Sequence, residues 1–193
     1  MKGAGNAMAA AVVDELTRHG VVTAVFGPGS RSTPLVLALD AHPQVKLHVA
    51  VDERSAGFVA VGAARASGMP AIVLTTSGTA AANLHPAILE AHHSRLPLIA
   101  ITADRPPELR DTGAGQTIDQ IKMFGDSVRW FCEAGVADGN MDLVGYSRSI
   151  ASRAFAEAVG SPRGPVHLNL AFREPFIAES HDEEVDISGR PEG

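Results

Sequence analysis

Apolar positions along the chain follow two alternating rhythms. Met8, Val12 and Leu16 recur at helical spacing within residues 7–19, Gly20 supplies a stop, and a continuous apolar run occupies 21–26. The succession then repeats. Helices are predicted over 33–39, 53–66, 79–93 and 142–159, and strands over 46–51, 71–75, 96–102, 128–133 and 166–170. Strands that read as unbroken apolar runs and alternate with helices belong to a parallel sheet covered on both faces. The expected fold is therefore α/β: three layers, about six parallel strands, helices on either side.

The polar punctuation falls where the apolar runs stop. Gly27-Pro28-Gly29-Ser30-Arg31-Ser32 follows the first strand, Asp52-Glu53 the second, Thr75-Thr76-Ser77-Gly78-Thr79 the third and Ala103-Asp104-Arg105-Pro106 the fourth. Open α/β sheets place their chemistry at such strand ends. Between Arg105 and Asp126 lies a segment rich in Pro, Gly and polar residues, including Gly113-Ala114-Gly115-Gln116. It is longer than the usual connection in such units, which makes it a candidate active-site loop. Residues 1–178 read as one domain. The stretch 179–193, with Asp182, Glu183, Glu184 and Asp186, reads as an acidic linker or disordered tail.

Each motif taken alone has a plain structural explanation. The glycine loop has the context of a dinucleotide fingerprint, but Ser32 stands where the third glycine belongs. What remains is a helix N-terminus with an arginine beside it, suited to a carboxylate or phosphate, or a turn capped by Ser32 or Thr33. Glu53 opens an alanine-rich helix, and a carboxylate there is favoured by the helix dipole without any catalytic role. Ser77 has capping open to it in the same way. Asp104-Arg105 is either a carboxylate-binding arginine on its loop or a surface pair. Asp138-Gly139-Asn140 reads as a turn.

Composition narrows the field. A formal charge of −6 with no Lys/Arg block disfavours nucleic acid, so any anionic ligand depends on individually placed arginines. The single cysteine, Cys132, forms no internal disulfide and reads as a buried small hydrophobe. His92 and His93 are adjacent and diverge on a helix, so they form no metal clasp, and Ser30, Ser32 and Ser77 lack the Gly-x-Ser-x-Gly elbow of a hydrolase. No apolar run approaches the length of a membrane span and no signal peptide is recognisable, so a soluble cytoplasmic protein is expected.

In combination and order, these residues resemble a known family. Gly-Pro-Gly-Ser-Arg-Ser-Thr-Pro-Leu at 27–35, Asp-Glu-Arg-Ser-Ala-Gly-Phe at 52–58, Thr-Ser-Gly-Thr-Ala-Ala-Ala-Asn-Leu at 76–84 and Thr-Ala-Asp-Arg-Pro-Pro-Glu-Leu at 102–109 are similar to the N-terminal part of the 2-succinyl-5-enolpyruvyl-6-hydroxy-3-cyclohexene-1-carboxylate synthases. These are thiamine-diphosphate enzymes of menaquinone biosynthesis. The resemblance runs from about residue 8 to about residue 177. It implies a transferase that decarboxylates 2-oxoglutarate and adds the succinyl semialdehyde carbanion equivalent to isochorismate. It implies that Glu53 hydrogen-bonds N1′ of the cofactor's aminopyrimidine and promotes deprotonation of the thiazolium. Ser77 and Gly78 would join Glu53 in holding the cofactor, and Ser30, Arg31, Arg105 and Gln116 match substrate-contacting positions.

The chain departs from that family at Gly115, where members usually carry asparagine. Such enzymes also hold the diphosphate through Mg2+ with a Gly-Asp-Gly segment and a downstream Asn in a C-terminal domain, and this chain has no Gly-Asp-Gly. The resemblance thus implies a pyrimidine-binding domain with no metal ligands of its own. It would be inactive alone and completed by the diphosphate-binding domain of another subunit in a homodimer or homotetramer. Two alternatives stand beside it: the pyrimidine-binding subunit of another thiamine-diphosphate 2-oxo acid decarboxylase, and a non-catalytic flavodoxin-like anion-binding module.

Overall fold

A computed structural model describes residues 3–137 and 142–177 of the 193-residue chain. The expected turn at 138–140 and the acidic segment from 179 lie outside the described residues. In chain order the elements are α1 (Ala4–Arg18), β1 (Thr23–Phe26), α2 (Thr33–Ala41), β2 (Lys46–Val49), α3 (Glu53–Ser67), β3 (Ala71–Thr75), α4 (Thr79–Ala82), α5 (His85–His93), β4 (Leu98–Asp104), β5 (Phe131–Val136), α6 (Leu143–Val159) and β6 (Pro165–Ala171). Single 3-10 turns occupy Ser30–Ser32, Pro107–Leu109 and Gly125–Ser127.

The six strands form one sheet in the order β2-β1-β3-β4-β6-β5, and every neighbouring pair is parallel. Alternation along the strands divides the core in two. Ile72 and Leu74 of β3, Ile99 and Ile101 of β4, and Val166, Leu168 and Leu170 of β6 pack with residues of α1, α2 and α6. Val73, Leu98 and Ala100 face the other way, against Ala56, Ala60 and Ala64 of α3 and Ala87, Ile88 and Ala91 of α5. The small residues of α3 let that helix lie close to the sheet. On the first face an ionic clamp joins α1 to α6, with Arg148 Nη1 on Asp14 and, at 3.0 Å, on Glu15 Oε2, while Ser152 Oγ donates to Glu15 Oε1 at 2.7 Å.

Several expectations need correction, among them the fourth strand, which lies at Leu98–Asp104 and not at 96–102. The helix foreseen over 79–93 is two helices, because Pro86 sits in the first turn of a new one and lacks the N–H needed to continue the old. The fifth strand lies at Phe131–Val136, displaced from the expected 128–133 by its pairing of Phe131 with His167. Cys132 is only half-buried, in contact with the Tyr146 hydroxyl.

The long loop also departs from the usual plan. On the α3/α5 side of the sheet it folds back so that Gln120 and Phe124 are buried at 0% and 2% exposure, with Phe124 in the core and edge-on to His167 at 4.7 Å. Over β6 the loop adds its own cover, with Phe124 against His167.

Candidate active site

β1 lies between β2 and β3, so the direction of strand succession reverses beside it, and the C-terminal ends of β1 and β3 mark the switch point at which open α/β sheets bind ligands. The glycine loop and the Thr76-Ser77-Gly78 loop meet there. The backbone of Gly29 has φ 175°, ordinary extended geometry, but a Cβ at this position would overlap the side chain of Thr76. Glycine is required by space, to let the two loops touch. Ser32 is fully buried and its Oγ donates to the Gly29 carbonyl at 2.9 Å, closing the turn from within.

Glu53 is the first residue of α3. Asp52 caps the helix, its Oδ1 accepting from the Ser55 amide at 3.0 Å, so Asp52 satisfies the helix end and leaves the Glu53 carboxylate unneeded for it. The stem of Glu53 packs against Gly27, and Asn83 Nδ2 reaches its Oε2 at 3.4 Å. Replacing Asp52 by alanine is expected to cost about 1 kcal/mol and lower the unfolding midpoint by about 2–4 °C, measured by thermal denaturation. An unchanged midpoint would show that Asp52 contributes nothing to the start of α3.

Ser77 does not cap the following helix. Gly78 occupies the N-cap position, and the Ser77 hydroxyl is buried without a hydrogen-bond partner. Gly78 has φ +82°, and a Cβ there would stand 3.0 Å from the Gln116 carbonyl oxygen. Gln116 itself has φ +56° and is exposed, with its side-chain amide 3.4 Å from the Ser77 carbonyl. The 113–116 turn therefore rests on the β3 loop. Gly115 meets nothing within 4 Å, so its missing side chain leaves open space.

Arg31 is 7% exposed. Its Nη1 donates to the Phe172 carbonyl at 2.7 Å, its Nη2 lies 3.5 Å from Glu174, and its guanidinium carbon lies 4.6 Å from the Phe176 ring centroid. Burial, and then the positive charge of Arg105, hold Arg31 below the ordinary arginine value. The two guanidiniums thus share one region. Arg31 Nε and Arg105 Nη1 are buried with no hydrogen-bond partner among the described residues. Ser30, on the same 3-10 turn, is exposed.

The surface-pair reading of Asp104-Arg105 fails. Asp104 is fully buried and takes Arg110 Nη2 at 2.9 Å, while its Oδ1 accepts the Arg105 backbone amide at 2.7 Å. Arg110 also reaches Glu133 Oε1 at 2.7 Å. Behind these lie Thr102, Gln120, His167 and Asn169, all fully buried. Sequence reasoning passed over this polar layer. Its one signal was the period-two run of polar residues on paired strands, Thr102 and Asp104 on β4 and His167 and Asn169 on β6.

The strand ends carry polar groups with free capacity, the kind of donor set an aminopyrimidine requires: a Glu53 carboxylate not used for capping and a buried Ser77 hydroxyl without a partner, beside two loops brought into contact at Gly29. Among the described residues no group of three or more His, Cys, Asp or Glu side chains is placed to hold a metal ion, and no helix is long and apolar enough to cross a membrane.

Residues 6–123 match the family described as thiamine pyrophosphate enzyme, N-terminal TPP binding domain. The chain is 57% identical over 173 residues to the 2-succinyl-5-enolpyruvyl-6-hydroxy-3-cyclohexene-1-carboxylate synthase of Thermobifida fusca, covering 90% of this chain and 31% of that protein. Synthases of the same name from Geobacillus kaustophilus and Chloroflexus aurantiacus are 50% and 55% identical, over 92% and 88% of this chain and 31% and 29% of theirs. The chain spans about a third of the length of these relatives. With its all-parallel sheet and its strand-end carboxylate, it belongs to the family of N-terminal thiamine-pyrophosphate-binding domains of thiamine-pyrophosphate enzymes.

Proposed function

We propose that this domain is the pyrimidine-binding part of a carboligase that decarboxylates 2-oxoglutarate and joins the remaining four-carbon unit to isochorismate. The observation that carries the substrate class is the Arg31–Arg105 pair, two neighbouring cations with buried, unpartnered N–H groups in a protein of net charge −6. Both substrates are polyanions, and planar guanidinium forks suit carboxylates.

Thiamine diphosphate, when bound, supplies an acidic thiazolium carbon that adds to a 2-oxo acid and accepts the electron pair released with CO2. Glu53 holds or returns a proton at the aminopyrimidine N1′, and Asn83 orients its carboxylate. Ser77 and Gly78 form the turn against which the pyrimidine rests. Arg31 and Arg105, with Ser30 and Gln116, hold substrate carboxylates and hydroxyls. The diphosphate and Mg2+ belong to a diphosphate-binding domain of another subunit, so the working unit is a homodimer or homotetramer. Residues 1–178 constitute the domain and 179–193 its acidic linker, in a cytoplasmic enzyme.

The test combines this domain with its diphosphate-binding domain, thiamine diphosphate and Mg2+. Consumption of 2-oxoglutarate that depends on isochorismate is expected. Equal or faster turnover of pyruvate, with isochorismate untouched, would assign the domain to a different 2-oxo acid decarboxylase.

A further inference from the structure

Gln120 is a side chain with no assigned role that reaches the site from behind. It is fully buried although its loop neighbours Asp119 and Ile121 are exposed. Its Oε1 accepts the Gly78 amide at 2.8 Å. Its Nε2 donates to Asn169 Oδ1 at 2.8 Å and to the Ala103 carbonyl at 3.3 Å.

The orientation of this amide is fixed by its surroundings. Asn169 Nδ2 donates to Asp104 Oδ2 at 2.8 Å and to Glu133, two carboxylates that only accept, so Asn169 Oδ1 must face the other way and receive hydrogen bonds. It takes them from Thr102 Oγ1 at 2.7 Å and from Gln120 Nε2. That leaves Gln120 Oε1 for Gly78. Every hydrogen bond in the row therefore runs one way, from the Gly78 amide through Gln120 and Asn169 to the two carboxylates that Arg110 bridges.

Both ends of the row touch the candidate site. Gly78, in a left-handed backbone conformation, is held between the Gln120 side chain and the Gln116 backbone. Asp104, at the far end, accepts the Arg105 amide where the substrate loop begins. We propose that Gln120 is a positioning residue: by clamping the Gly78 amide it sets the Ser77-Gly78 turn for the pyrimidine of thiamine diphosphate, and it ties that turn to the strand end that launches Arg105. This inference rests on the functional reading above.

Gln120→Glu and Gln120→Leu test it. The glutamate keeps the size and the acceptor but sets an oxygen against Asn169 Oδ1 and the Ala103 carbonyl. The leucine removes both partners at similar volume. With the domain assembled with its diphosphate-binding domain, thiamine diphosphate dissociation constants are measured by calorimetry in the presence of Mg2+, alongside thermal midpoints and kcat at saturating cofactor. Each folded variant is expected to bind thiamine diphosphate about 10-fold more weakly, the size of one lost buried hydrogen bond. Turnover should recover to within about threefold of normal once cofactor saturates, because the displaced turn is rebuilt around the ligand. Cofactor affinity within about twofold of the unsubstituted protein, whatever the thermal midpoint, would reduce Gln120 to a packing residue and overturn the proposal. A turnover loss that persists at saturation overturns it too. An unsubstituted protein that does not bind thiamine diphosphate overturns the functional reading and this one with it, whereas binding that both variants match overturns this one alone.

Discussion

Glu53→Gln is expected to lower carboligation turnover by about 10²–10⁴-fold, the range for removing a positioned general acid or base, with the fold unchanged. The glutamine preserves the length of the side chain and offers an oxygen to Asn83, so the 3.4 Å contact at the start of α3 survives. Asp52 continues to cap the helix. What disappears is the capacity to exchange a proton with a ring nitrogen, which an amide lacks. The measurement is isochorismate-dependent CO2 release by the domain assembled with its diphosphate-binding domain, with circular dichroism confirming native structure. Near-normal carboligation would remove Glu53 from the chemistry and return it to the helix-dipole role that its position alone suggests.

The second large effect is on stability, and it belongs to His167. Burial holds its pKa near 3, against an ordinary value of 6.5, inside a wall made by Phe124 at 4.7 Å and Phe131 at 5.1 Å. Thr102 spends its proton on Asn169, so His167 Nε2 donates to Thr102 Oγ1 at 2.7 Å and the buried Nδ1 carries a lone pair with no donor. The ring is neutral when folded. Below pH 6.5 the unfolded chain takes up a proton that the folded chain refuses, so stability is fully present above that pH and is lost progressively as pH falls toward 3. At about 1.4 kcal/mol per pH unit, the loss at pH 4.5 is about 3 kcal/mol. His167→Gln retains a donor for Thr102 and removes the titration. Urea unfolding at pH 7 and pH 4.5 should show a smaller drop for the variant than for the unsubstituted protein, and equal drops would acquit His167. Asp14 does not confuse the comparison. Burial alone would raise its pKa, but its hydrogen bonds from Arg18 and Arg148 hold it below the ordinary 3.8, so its contribution is lost only at lower pH.

Much of this architecture is written in the apolar pattern. The run at Ala71–Thr75 is strand β3 to the residue, and the alanines after Glu53 do open a helix there. The misplaced fifth strand has a definite cause. Gly135, with φ +73°, lies in the irregularity between Glu133 and Val136, and a glycine at that point reads as the end of a strand when it marks a bulge within one. Pro86 has the mirror-image effect: it lies inside the helical pattern of 79–93, yet it stands in the first turn of α5 and marks where one helix ends and another begins. The strand-end residues of the candidate site are legible because each stands where an apolar run stops. Gln120 could not. A glutamine in a polar loop looks solvated, and only the tertiary course of the loop, turning Phe124 and Gln120 toward the sheet, buries it. Asp104 was hidden for a related reason, since adjacency to Arg105 suggested a pair whereas its side chain selects Arg110, six residues on.

The contact between Gly29 and Thr76 limits how this site can be redesigned. The two loops meet there through the β-branched Thr76 side chain, so no side chain can be introduced at Gly29 without forcing the β1 and β3 loops apart. Gly115 stands in open space by contrast, and Thr112 nearby is exposed, whereas Gly113 at φ +76° is held to glycine by its backbone. Selection for a new ligand should accordingly accumulate its substitutions at Thr112 and Gly115 and leave the glycine loop untouched, so that one side of the site is fixed and the other is adjustable.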